Sequence, residues 1–229
     1  MKKIFILLLI VLSFSLTSCR RVKFESFENE VDWQDFENGF YEEYGNFKTK
    51  LREQDFEYQC IYKTTSIKME TSTINNLKSS FKQDLDNNLF EFTEKGTENN
   101  VRTNYKDVKV NTKETYFLED GKLYIKKEDG EINEYRPTTE YLYENKCRMS
   151  FALDLLRTVS KSKYSYYIDG NKYTQVFDGE DFGSEITERK QMIFNENVVT
   201  VWWFSLMQSS ETTFITEVKM VFDFKDVKL

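Results

Sequence analysis

The chain has 229 residues, 31% of them charged and 39% apolar, with a formal net charge of −7. That length suits one domain, or two small ones, with a core that needs no metal or disulfide framework. The balance excludes a disordered or membrane-embedded body. There is no histidine, which removes histidine triads, histidine zinc sites and imidazole pH switches together.

Residues 1–19 read MKKIFILLLIVLSFSLTSC. Lys2 and Lys3 make a positive start, Ile4 to Phe14 an apolar run, and Leu16-Thr17-Ser18-Cys19 closes the segment. The run is shorter than the roughly 20 residues of a membrane-spanning helix and has the layout of a secretory signal. Its last four residues resemble the lipobox of bacterial lipoproteins. That resemblance implies a signal peptide over 1–18, a diacylglyceryl group on Cys19 and a tether over 19–23. Two acyl chains anchor stably where one is marginal, so the expected location is the cell membrane or outer surface, lipid-anchored and extracytoplasmic. Cleavage leaves 30 basic against 39 acidic residues, a net charge of −9. Such a surface repels nucleic acid and anionic head groups, and Arg20-Arg21-Val22-Lys23 reads as a short juxtamembrane contact.

Cys60 and Cys147 then remain. Outside the cytoplasm they form one disulfide or stay as two buried thiols, and separation along the chain does not decide between these. A catalytic thiol lacks an imidazole to activate it.

Along the chain, Phe24, Phe27, Val31, Phe36, Phe40, Tyr44, Phe47 and Leu51 recur mostly at gaps of three and four. This predicts an amphipathic helix, whole or broken at Gly39 and Gly45, packed on the domain. From Asp55 the period becomes two: Phe56, Tyr58, Cys60 and Tyr62 share a face, and a switch to Ile67 and Met69 suggests a bulge. Strands are predicted from Leu89, at Val108–Val110, and over Thr115–Leu118, Lys122–Lys127 and Glu131–Tyr135. Asp120-Gly121 and Asp129-Gly130 supply the positive φ angles of hairpin turns between them. Pro137 breaks the run, and Thr139 to Ser160 reads as a second helix. Strands at Tyr164–Ile168 and Lys172–Phe177 follow, with Asp169-Gly170 and Asp178-Gly179 as further turns. The last strands are Lys190–Asn195, Val198–Met207 and Thr213–Asp223. Val199 to Leu206 is apolar at nearly every position, as in a strand covered on both faces.

Residues 84–88 start like a calcium loop, but Leu89 replaces the required glycine and Lys95 the closing glutamate, so an EF-hand is rejected. Asp178, Glu180, Asp181 and Glu185 read as a solvated hairpin rather than a cation site. None of the common nucleotide, hydrolase, metalloprotease or thiol-redox motifs is present. The expectation is therefore no catalytic residue, no metal and no cofactor: not an enzyme.

Together the elements predict an α+β fold over residues 24–229. A long antiparallel β-sheet curves into a half-barrel, with an N-terminal helix and a mid-chain helix packed on the concave side. The units Phe117-Leu118-Glu119-Asp120-Gly121-Lys122-Leu123-Tyr124-Ile125 and Tyr166-Tyr167-Ile168-Asp169-Gly170-Asn171-Lys172-Tyr173 are each strand–Asp-Gly–strand. In this layout the chain resembles the half-barrel lipoproteins of the LolA, LolB and LppX type. The resemblance implies a groove for a lipid or acyl chain and names no catalytic residue. Phe90, Phe92, Trp202, Phe204, Phe214, Val218 and Phe222 are the expected wall of that groove. The alternative is a surface lipoprotein acting as a protein–protein interaction module through an outer aromatic patch.

Overall fold

The computed structural model describes residues 27, 29–68, 71–99, 104, 106–127, 129–135, 138–149, 163–181 and 183–229. The signal, Cys19 and the tether lie outside these residues.

An amphipathic stripe organises the fold. Helix α1 (Trp33–Glu53) begins at Asp32, whose side chain accepts the Asp35 N–H at 2.8 Å. Phe36, Phe40, Tyr44, Phe47 and Leu51 fall on one side of it and are all buried. The helix starts later than the periodicity from Phe24 suggests, because Glu30–Val31 forms a short strand, β1. It runs unbroken through both glycines. Gly39 has a positional reason: a Cβ there would come within 3.0 Å of the Tyr173 hydroxyl.

The remaining strands are β2 (Phe56–Lys68), β3 (Thr71–Asp84), β4 (Leu89–Glu98), β5 (Val108–Glu119), β6 (Lys122–Lys126) and β7 (Ile132–Tyr135). After a second helix, α2 (Thr139–Lys146), come β8 (Ser165–Asp169), β9 (Lys172–Asp181), β10 (Ser184–Phe194), β11 (Val198–Gln208) and β12 (Thr212–Phe224). They form one 12-stranded sheet in the order β1-β8-β9-β10-β11-β12-β2-β3-β4-β5-β6-β7, antiparallel at every pairing. Two meanders, β2–β7 and β8–β12, are thus joined by the pairing of β12 with β2. Among the described residues no pairing joins β7 to β8 or β1. The sheet is curled but unclosed, an α+β half-barrel with both helices on its concave side, as the sequence predicts.

Under the helices the inner face is mostly aromatic. One row runs Phe194, Val199, Phe222, Tyr58, Phe81, Phe92; the next runs Phe224, Phe56, Gln83, Phe90, Tyr116. Helix α1 lays its stripe on these rows. Phe47 meets Phe194, Phe222 and Phe224 at centroid distances of 6.4, 5.0 and 6.1 Å, and Phe40 meets Tyr173 at 5.7 Å. Each such side chain contributes roughly 1.5–3 kcal/mol of burial. Tyr143 of α2 continues the layer over Phe56 and Phe81.

Several details correct the sequence reading. Strand β3 was not anticipated. Strand β2 continues regularly to Lys68 with no bulge, and β5 is one strand rather than two. Asp120-Gly121 turns as expected, with φ of 49° and 73°, whereas the β8–β9 turn falls on Gly170-Asn171. Asp178-Gly179 lies inside β9 and no turn forms there. Of the second predicted helix, Thr139–Lys146 is helical with Cys147 as its C-cap; Leu153, Leu156 and Val159 lie outside the described residues. The segment resembling a calcium loop is the β3–β4 turn. There the Asp84 carboxylate accepts the Asn87 N–H and side-chain amide, and also the backbone N–H of Leu229.

Candidate functional site

The inner face has two ends of different character. At the α1–α2 end, space between sheet and helices is filled. Phe222 packs against Phe47, Phe56 and Tyr58, and Phe90 lies 6.2 Å from Phe81. Phe92 carries the Lys146 ammonium 4.7 Å from its ring centre. Gln83, fully buried, is completely used: its Nε2 donates to the Leu51 and Gln54 carbonyls at the end of α1, and its Oε1 accepts from the Tyr143 hydroxyl at 2.7 Å. A strand side chain thus satisfies carbonyls that a helix end leaves open.

Charged groups reach this interior in pairs. Lys146 meets Glu114 at 2.5 Å, and Glu114 also accepts from Tyr116, whose phenol is pushed up first by burial and then by that carboxylate. Arg148, at φ 48°, meets Glu94 at 2.7 Å with its guanidinium 4.8 Å from the Tyr62 ring centre. Glu94 also accepts from Ser79. Between these pairs lie Cys60 and Cys147. Both are buried free thiols, so the disulfide left open by the sequence is not formed. Burial is the main cause that pushes both thiols up, which keeps them protonated and unreactive at neutral pH.

The other end is polar within an apolar frame. Strand register places Tyr166, Gln175, Lys190 and Trp203 in one inner-face row, with Phe177, Glu188 and Ser205 in the next. Glu188 is buried and accepts from Trp203 Nε1 at 2.9 Å and from the Tyr164 hydroxyl at 2.7 Å; Lys190 approaches it at 3.4 Å. The Lys190 ammonium also lies 5.4 Å from the Trp203 ring centre. Gln175, next to Lys190, is fully buried, and among the described residues neither its Oε1 nor its Nε2 has a hydrogen-bond partner. Leu77 and Phe177 are buried at this end, separate from the main aromatic cluster.

Of the seven residues expected to line a groove, Phe90, Phe92, Val218 and Phe222 face inward and are buried in the core. Phe214 faces inward two rows further out, in register with Met207 and Ser66. Trp202 and Phe204 are corrected: they lie on the outer face, stacked at 6.3 Å, while Trp203 takes the inner position. The reason is alternation. In a strand apolar on both faces, composition cannot show which parity points in. On that outer face Leu206, Ile215 and Ile74 share a cross-strand row, with Ile67 beside it; Ile74 is 52% and Ile67 45% exposed. Of the four-acid group, Asp178 pairs with Arg189, and Asp178, Glu180 and Glu185 belong to paired strands rather than a loop.

Sequence reasoning missed Gln175, Glu188, Lys190 and Arg148. For the three strand residues the only signal is a polar residue at an inward parity, visible once the register is known; Arg148, just past the α2 cap, carries no such signal. Among solvent-open grooves, one of about 260 Å³ lies between α1 and α2 over Tyr44, Leu51, Tyr143 and Met149. Another of about 500 Å³ lies at the β5–β7 edge over Leu118, Leu123 and Tyr135.

No protein-family model matches the chain, and no curated protein does. Among solved structures it is similar to a β-barrel-like protein of the domain of unknown function DUF1849 from Brucella abortus, at 13% identity and a TM-score of 0.27. That match covers 75% of this chain and 98% of the other. It is also similar to Ail, the attachment invasion locus protein of Yersinia pestis, at 6% identity and a TM-score of 0.23, covering 74% and 97%. Neisserial surface protein A matches at 9% identity and a TM-score of 0.22, covering 75% and 97%. No functional conclusion about this chain rests on likenesses of that size.

Proposed function

We propose that this chain is a membrane-anchored, extracytoplasmic lipoprotein, tethered through Cys19, that binds an apolar ligand such as a lipid or acyl chain on the inner face of its half-barrel. The observation that supports this reading is the division of that face. Helix aromatics fill one end, while the other carries Phe177 and, two strands away in the same row as Gln175, Trp203, beside a buried amide with no partner among the described residues. In this proposal the groove lies over β9–β11 beside Gln175, with Val218 next to Trp203 at its border, rather than over Phe90, Phe92 and Phe222. Each methylene buried there stabilises binding by roughly 0.8 kcal/mol. No catalytic step is assigned.

Native mass spectrometry of the full chain, followed by organic extraction, tests this. A lipid retained at fixed stoichiometry supports the reading; absence of bound lipid, with no binding on addition of acyl-chain probes, overturns it. A second reading has its own observation. The outer-face band of Trp202, Phe204, Leu206, Ile215, Ile67 and Ile74 suits a protein partner. Loss of partner capture on intact cells by Ile67→Lys/Ile74→Lys, with lipid content unchanged, would favour that function instead.

A further inference from the structure

The unsatisfied amide of Gln175 says more than that a ligand is present. Its row neighbours are Tyr166 on β8 and Lys190 on β10, and its neighbours along β9 on the same face are Tyr173 and Phe177. Helix α1 closes the row below at Tyr173, 5.7 Å from Phe36, and reaches Gln175's own row at Tyr166, 5.0 Å from the same ring. The row above holds Glu188, whose two oxygens are taken by Trp203, Tyr164 and Lys190. No described side chain serves Gln175, although its burial is complete. A buried amide left this way is costly, and native proteins meet nearly all such groups with protein, water or ligand.

We infer that Gln175, beside Lys190, is the seat for the head group of the apolar ligand, and that this head group is a carboxamide or an un-ionised carboxylic acid at the end of an acyl chain. The inference rests on the binding reading above. The chemistry follows from what is unmet. Oε1 needs a donor and Nε2 needs an acceptor, side by side, and a carboxamide or carboxylic acid offers that pair. An ester or a bare hydrocarbon offers no donor. A phosphate needs excess positive charge, which the Lys190–Glu188 pairing at 3.4 Å does not leave. Phe177, next along β9, and Trp203, two strands away in the same row as Gln175, suit the chain behind the head group.

The test titrates the full chain, held in amphipol, with dodecanamide, dodecanoic acid and methyl dodecanoate, read by tryptophan fluorescence. Wild type is expected to bind the amide or the acid at least about tenfold tighter than the ester, because the ester leaves buried groups unpaired. In Gln175→Leu that preference should fall to within about twofold. Which of the two probes binds tighter identifies the source of the head group. Equal affinity for all three probes in both proteins overturns the inference, means that water serves Gln175, and leaves the binding reading standing. Absence of binding by all three overturns both. If Gln175→Leu does not fold, the side-chain amide signals of Gln175 in ¹⁵N-labelled wild type decide. Movement with the amide or acid and not with the ester supports the seat; the same response to all three overturns it.

Discussion

Gln83 and Gln175 are the same residue type, equally buried, on the same face of one sheet. Gln83 makes three hydrogen bonds, two to the end of α1 and one to Tyr143; among the described residues Gln175 has no partner. The difference follows from what each end of the sheet was given to hold. Beneath Gln83 the chain supplies its own filler, a helix whose last carbonyls need a donor. Near Gln175 it supplies the paired Lys190 and Glu188 and an amide that no described side chain meets. Burial alone therefore does not mark a structural residue; the accounting of donors and acceptors does.

The largest test of the contrast is steric. Phe222→Ala, in the filled end, should lower unfolding free energy by about 3–5 kcal/mol in chemical denaturation. A loss below about 1 kcal/mol would mean that end is loosely packed after all. Next come the two glutamines themselves. Gln83→Leu should cost about 2 kcal/mol or more, since it strands the buried Leu51 carbonyl, the Gln54 carbonyl and a tyrosine hydroxyl, whereas Gln175→Leu should leave stability within about 1 kcal/mol of the parent or raise it. Equal losses would erase the distinction. The smallest effect concerns pH. Hydrogen bonds from the Asn87 side chain, and then from the Leu229 backbone, hold the Asp84 carboxyl below its usual value. Its stabilisation is present above the unfolded value of about 3.9 and is lost as pH falls through the lower folded value. Asp84→Asn should therefore flatten the fall of melting temperature in acid, measured between pH 5 and pH 2, while lowering it at neutral pH.

Much of the architecture was readable. The stripe Phe36-Phe40-Tyr44-Phe47-Leu51 and the alternation Phe56-Tyr58-Cys60-Tyr62 each carry their own period, and Asp120-Gly121 fixes its turn. Strand β3 was not readable, because Leu77 and Phe81 are its only buried apolar side chains and the inward positions between and after them are Ser79 and Gln83. The face of β11 was misjudged because both parities are apolar. The polar end escaped for a deeper reason: Gln175, Glu188 and Lys190 look like surface residues until the pairing of β10 with β9 and β11 places them inside. Periodicity reports which residues avoid water on average, and a buried polar site contradicts that average.

The seam between β12 and β2 sets the order of assembly. Each meander is stitched by near neighbours, and loop closure inside it costs little. The seam joins strands from opposite ends of the chain, and it is reinforced where Val227 donates to Asp55, 172 residues earlier. Strand β2 therefore stays an open edge through synthesis and any passage across a membrane, until β12 arrives to occupy the middle of the sheet. Folding should be slow and late, limited by that one distant closure, with two half-sheets waiting on a single strand.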